Sequence, residues 1–134
     1  MEEMIYSTKR KVEVLATGTY MGMEFYIMSL GTHPTAYIRI PRSSKFYEKD
    51  GDEIDLEVNG GITYSKYDLY ISETEKVKGW FIGWDYAHYG DYTGYEKLLP
   101  KEYRIGGHRW ATEEIFEEVK SAIQQIKKME KSEK

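Results

Sequence analysis

Gly79-Trp80-Phe81-Ile82-Gly83-Trp84-Asp85 is the stretch on which the fold turns. It is almost wholly apolar over its seven residues, follows the charged Lys76-Val77-Lys78, and runs into a polar loop. A short apolar run that does not alternate, flanked in this way, reads as a strand buried on both faces. It is expected to be the central strand of a sheet.

Upstream, the chain reads as short strands separated by turn chemistry. Val12, Val14 and Ala16 alternate with Glu13 and Leu15 until Gly18, which is expected to interrupt them. Glu24 to Leu30 and Thr35 to Ile40 are rich in strand formers and flank Gly31-Thr32-His33-Pro34, so they predict a hairpin that stops at Pro41. Arg42 to Glu57 carries six acids between Glu48 and Glu57 and is expected to be a solvated excursion; Asp50-Gly51-Asp52 lacks the residue order of a calcium loop. Asn59-Gly60-Gly61 is a tight-turn signal, followed by a short strand at Ile62-Thr63-Tyr64.

Downstream, Tyr86 to Gly107 holds Gly90, Gly94, Pro100, Gly106 and Gly107, the marks of a long irregular segment. A helix is predicted from Thr112 to about Met129. Thr112 is read as its N-cap, and Glu113 and Glu114 place acid at the positive end of the dipole. Ile115, Val119, Ala122, Ile126 and Met129 form one apolar stripe at helical period, with Phe116 and Ile123 beside it. The expected fold is α+β: a mostly antiparallel sheet packed by one C-terminal helix. The 134 residues are expected to form one domain over 1–134, with frayed ends about 1–8 and 130–134.

Composition narrows the function classes. Of the residues 40% are hydrophobic, 31% charged and 15% aromatic, the last dominated by 13 Tyr. The absence of Cys excludes a disulfide framework, a thiolate zinc site and a cysteine nucleophile. A net charge of −4 disfavours a general nucleic-acid binder, whose affinity comes largely from displacing counterions. No apolar run is long enough to span a membrane, and the acidic Met1-Glu2-Glu3-Met4 does not open a signal peptide, so a cytoplasmic protein is expected.

Three clusters are candidates for chemistry. In Gly83-Trp84-Asp85-Tyr86-Ala87-His88-Tyr89-Gly90-Asp91, two carboxylates and an imidazole meet where the strand opens into a loop. Asp85 can orient His88 as a base, or Asp85, His88 and Asp91 can share a divalent metal. Equally, Asp85 can cap the turn while His88 bonds a backbone carbonyl. The paired Gly60 and Gly61 allow a close backbone approach to a ligand, though no phosphate-loop pattern is present. Arg104, His108 and Arg109, just before the helix, suit an anion site, while Trp110 serves as well as a hydrophobic staple. Hydrolase signatures such as Gly-x-Ser-x-Gly and His-Glu-x-x-His are absent.

In order along the chain, Thr32-His33-Pro34, Tyr37-Ile38-Arg39-Ile40-Pro41, Gly60-Gly61-Ile62-Thr63-Tyr64-Ser65 and Trp80 through Asp91 resemble a group of small bacteriophage and prophage proteins. The resemblance runs from His33 to the closing helix. It departs at Asn59, where similar proteins often carry His, and at Tyr86, where they often carry Cys. It implies that Gly60, Gly61, Asp85, His88 and Asp91 form one site, and it brings no activity with it.

The expected function is a phage or prophage accessory protein, cytoplasmic in its host, that binds a host protein or a nucleotide-type small molecule, with counter-defence as a role. Asn59, Gly60, Gly61, Tyr64, Trp84, Arg104, His108 and Arg109 are the expected ligand contacts, with Tyr64 or Trp84 stacking on a flat ring. Two other readings stand beside it: a metal-dependent hydrolase or phosphodiesterase using Asp85, His88 and Asp91, and a purely structural interaction domain, which includes a homo-oligomer.

Overall fold

In the computed structural model the described residues are 12–29, 33–86 and 111–132. They form β1 (Glu13–Tyr20), β2 (Met23–Ser29), β3 (Pro34–Ile40), a 3-10 turn at Gly51–Glu53, β4 (Tyr64–Tyr70), β5 (Lys76–Asp85) and α1 (Thr112–Ser132). The five strands make one sheet in the order β1-β2-β3-β5-β4. All its neighbours are antiparallel, so the architecture is α+β.

β5 is interior, with β3 on one side (Ile38 opposite Ile82, Ile40 opposite Trp80) and β4 on the other (Tyr64 opposite Gly83, Tyr67 opposite Trp80). Trp80, Phe81, Ile82 and Trp84 are all buried, as an unalternating apolar strand requires. The pleat divides them between the two faces. Trp80, Ile82 and Trp84 share one buried cluster with Phe25, Ile27, Ile38 and Ile40 of the sheet and with Ile115, Val119, Ala122, Ile123 and Ile126 of α1. Phe25 stacks on Phe116 at 5.2 Å between ring centroids. Phe81 belongs to a second cluster, with Met28, Tyr37 and Leu69. Each fully buried aliphatic or aromatic side chain contributes roughly 1.5–3 kcal/mol of hydrophobic stabilisation.

Several expectations are corrected in detail. Gly18 lies inside β1, where a side-chain carbon would come within 3.2 Å of the Phe25 ring. The short strand expected at Ile62-Thr63-Tyr64 begins at Tyr64 and continues to Tyr70. Its edge position leaves most of its side chains exposed or half-buried, which blurs the alternation that marks a strand. The N-cap of α1 is Ala111, whose carbonyl accepts from Ile115 N–H, and Thr112 is the first helical residue. Glu114 reaches back to accept from Ala111 N–H at 3.0 Å, half of a capping box.

Arg42 to Glu57 is no solvated excursion. Phe46, Ile54 and Leu56 drop into the core while the acids between them point outward. The segment is fastened along α1: Lys45 Nζ donates to Met129 O at 2.8 Å, and Glu57 exchanges two hydrogen bonds with the Gln125 amide. This anchorage delivers Asn59 to the far end of β5. Among the described residues no helix is long and apolar enough to cross a membrane.

Candidate functional site

At the C-terminal end of β5, the double-glycine turn and Asp85 are neighbours. Gly60 and Gly61 have φ of 72° and 81°, and Gly61 N–H donates to Val58 O at 2.9 Å to close the turn. The chain then returns alongside β5, with Thr63 N–H donating to Gly83 O at 2.9 Å. Thr63 Oγ1 donates to Asp85 Oδ2 at 3.3 Å, and Asn59 Nδ2 donates to Asp85 O at 3.4 Å. Asn59 thus ties the turn to the end of β5.

His88, Asp91, Arg104, His108 and Arg109 lie outside the described residues. Among the described residues no group of three His, Cys, Asp or Glu is placed to hold a metal ion.

Trp84 is not a stacking platform. It is 1% exposed and points to the helix side of the sheet, whereas the pleat sends Asp85 to the opposite face. Its Nε1 donates to Glu118 Oε1 at 3.0 Å and to the Tyr86 hydroxyl at 2.8 Å. The Tyr86 hydroxyl in turn donates to Glu118, whose other oxygen accepts from Asn59 N–H at 3.2 Å. Tyr86 is wholly buried, so its ring is core and its hydroxyl is held by a helix carboxylate. In the sequence Glu118 shows only as the second acid of Glu117-Glu118, beside the apolar stripe at Val119.

Tyr64 is also engaged. Its ring stands edge-on to Tyr37 at 5.0 Å between centroids, the Lys66 ammonium lies over it at 5.5 Å, and its hydroxyl donates to Asp68 O at 2.5 Å. Burial pushes the Tyr37 phenol above its ordinary pKa, and the Asp85 carboxylate adds to that. Burial raises Tyr64 as well, with the charges of Tyr37 and Asp68 acting in the same direction. Both phenols are therefore neutral hydrogen-bonding groups at neutral pH.

A second concavity opens at the other end of the sheet, roughly 17 Å along β5 from Asp85 at strand rise. This cleft encloses about 510 Å³. Tyr47, Tyr67 and Trp80 form its aromatic wall, each ring edge-on to the next, with centroids 6.3 Å and 5.0 Å apart. Arg39, Arg42 and Lys78 supply cations, against the carboxylates of Glu24 and Asp68.

The backbone shapes this cleft. Gly79 has φ of 140°, and a side chain there would run into the Arg39 guanidinium, so glycine lets Arg39 lie against β5. Asp68 sits in a bulge of β4 at φ of 70°; its Oδ1 accepts from Gly79 N–H at 3.2 Å, and its Oδ2 lies 3.6 Å from Lys76 Nζ. Arg39 Nη1 contacts Glu24 Oε1 at 3.5 Å, with both side chains more than 40% exposed, so that pair is weak. The indole N–H of Trp80, although buried, has no acceptor.

The cleft residues come from five separated stretches of sequence, which is why no local motif announces them. The available signals are Arg39-Ile40-Pro41-Arg42 and Lys78-Gly79-Trp80, where cations bracket a strand end. No family model matches this chain, and no match to it is found among curated proteins or solved structures.

Proposed function

We propose that this protein is a bacteriophage or prophage accessory protein that binds a small polar molecule of the host cell at the cleft around Trp80, and so withdraws it, as counter-defence requires. The cleft carries the reading. It is concave, falls in the size range of small-ligand sites, and is lined by aromatic residues and three cations in a protein whose net charge is −4. The sequence resemblance to phage proteins supplies the setting.

A host protein as partner has less support. The exposed large apolar side chains are Leu15, Met21, Tyr67 and Tyr70, divided between β1 with its following turn and β4, the two opposite edges of the sheet. They make no contiguous patch among the described residues, and such a patch is what a protein interface usually needs. Catalysis is not assigned, because Asp85 is held by Thr63 and stands at the far end of β5 from the cleft.

The helix belongs to this reading as the fixed cover of one sheet face. Its buried stripe and the Phe25–Phe116 stack support that role, which keeps the strand ends rigid under the cleft.

Native mass spectrometry of protein purified from phage-infected bacteria tests the binding function. A small molecule should accompany the chain unaltered and be lost from the Arg42→Glu/Lys78→Glu variant, whose substituted positions are exposed. Unloaded wild-type protein, or equal loading of the variant, refutes it.

A further inference from the structure

We infer that two copies of this chain pair through β1, edge to edge and antiparallel about a twofold axis at Gly18, so that one continuous sheet runs from β4 of one copy to β4 of the other. Such an interface draws its affinity from main-chain hydrogen bonds and needs no contiguous apolar patch.

The hairpin turn settles which groups β1 offers. Tyr20 stands opposite Met23, and the two residues between them, Met21 and Gly22, have φ of 50° and 81°. A two-residue turn of this kind makes its flanking residues a hydrogen-bonded pair. Tyr20, Gly18 and Ala16 therefore turn their N–H and C=O groups toward β2, at Met23, Phe25 and Ile27. Thr17 and Thr19 turn theirs outward, where among the described residues no strand pairs with β1. Both threonines are exposed.

The two sheet edges are built differently. At β4 the ladder is broken at Asp68 and Lys66 is exposed. Gly51 N–H also donates to Ser65 Oγ at 3.1 Å, which brings the Arg42 to Glu57 segment against the start of that strand. These are devices that keep an edge from accepting another strand. β1, in a chain whose residues are 31% charged, holds no Lys, Arg or Pro, and Glu13 at its start is its one charge. Its register shift lies between Val14 and Ala16 and leaves Ala16 to Tyr20 as a regular run.

This edge is complementary to itself in one register. With Gly18 opposite Gly18, Thr17 faces Thr19 of the second copy, and each such pair exchanges both of its outward N–H···O bonds. Gly18 then falls at a non-hydrogen-bonded position, where the two backbones come closest and no side chain obstructs them. Ala16 lies opposite the larger Tyr20, the threonines pair on the other face, and Leu15 meets Met21. Leu15 and Met21 are 43% and 50% exposed, and pairing covers both. Once β1 is paired, the outer edges are the two guarded β4 strands, so assembly closes at two copies.

The test is sedimentation velocity of the full chain from about 10 µM to about 1 mM, with amide hydrogen exchange of ¹⁵N-labelled protein read by NMR at both ends of that range. The mass should rise from monomer to dimer and go no further. The amides of Thr17 and Thr19 should exchange at least roughly tenfold more slowly at the higher concentration, while those of Ala16, Gly18 and Tyr20 are protected at both. Thr17→Pro removes an outward N–H and none that bonds to β2, which an edge strand tolerates, and should weaken the dimer at least roughly tenfold. Thr17→Ala drops the hydroxyl's bond to Phe25 O but keeps the N–H, and should still dimerise. Leu15→Lys/Met21→Lys, at two exposed positions, sets like charges opposite each other and should also give a monomer. Thermal melts establish that the variants are folded.

A monomer at every concentration overturns the pairing. So does a dimer that both Thr17→Pro and Leu15→Lys/Met21→Lys leave intact, or one whose protection appears along β4 in place of Thr17 and Thr19.

Discussion

Glu118 joins α1 to the end of β5 and to the double-glycine turn, and removing its carboxylate should be felt in all three. In Glu118→Ala the Trp84 indole keeps one acceptor, the Tyr86 hydroxyl 2.8 Å away. The Tyr86 hydroxyl loses the carboxylate it donates to inside the core, where Tyr86 is 0% exposed, and Asn59 N–H loses the second carboxylate oxygen. A hydrogen bond to a charged group is worth roughly 1.5–3 kcal/mol, and a stranded buried donor costs roughly 1–3 kcal/mol. Asn59 is half-buried and water substitutes for much of its loss, while relief of the carboxylate's own desolvation offsets part of the total. The expected net loss is about 2–4 kcal/mol, which at a urea slope of roughly 2 kcal/mol/M lowers the unfolding midpoint by roughly 1–2 M.

Glu118→Gln keeps an oxygen for Trp84 and Tyr86 but turns an amide N–H₂ toward Asn59 N–H, so it should cost about 1 kcal/mol. Tyr86→Phe alone removes the hydroxyl together with its need for an acceptor and leaves Glu118 to accept the Trp84 indole N–H, so it should cost less than Glu118→Ala. Urea titrations followed by circular dichroism supply all the values. A Tyr86→Phe loss as large as that of Glu118→Ala, or a Glu118→Ala cost under ~0.5 kcal/mol, would refute the network as the link between helix and strand.

Gly83→Ala places a methyl carbon 2.7 Å from the Ala36 carbonyl oxygen and against the Tyr37 ring, so overpacking should cost about 1–3 kcal/mol in the same titration. Gly61→Ala meets no neighbour within 4 Å, and only its φ of 81° opposes the change, so a loss of about 1 kcal/mol is expected. A larger loss at Gly61 than at Gly83 contradicts both accounts. The raised Tyr37 pKa means that the unfolded chain releases this proton first as the solution turns alkaline. Stability is then fully present below the ordinary tyrosine pKa near 10 and falls as pH rises above it toward the folded value. Tyr37→Phe should reduce that alkaline loss, and melting curves measured across pH 9 to 11 decide it.

The strand at Trp80 to Trp84, the β2–β3 hairpin and the closing helix are legible along the chain because each carries its own signal within a few residues. Those signals are an unbroken apolar run, a turn between β-rich stretches, and a stripe at helical period. Asp85 and the Gly60-Gly61 turn can be nominated for the same reason, since strand ends and paired glycines are local features. What is not legible depends on the partners that long-range folding supplies. Along the chain Trp84 reads as a ligand contact and Tyr86 as a departure from a pattern, but the pleat turns Trp84 inward and Glu118 of the distant helix takes its N–H. The acids of Arg42 to Glu57 mask Phe46, Ile54 and Leu56, whose burial depends on the helix and sheet face waiting beneath them. The cleft is the extreme case. Gly22, Arg39, Tyr47, Tyr67 and Trp80 share no local pattern, and antiparallel registry at one end of the sheet is what brings them together. Local sequence encodes each element's period and its ends; a binding surface is set by which ends meet, and that is decided only when strands pair across distance.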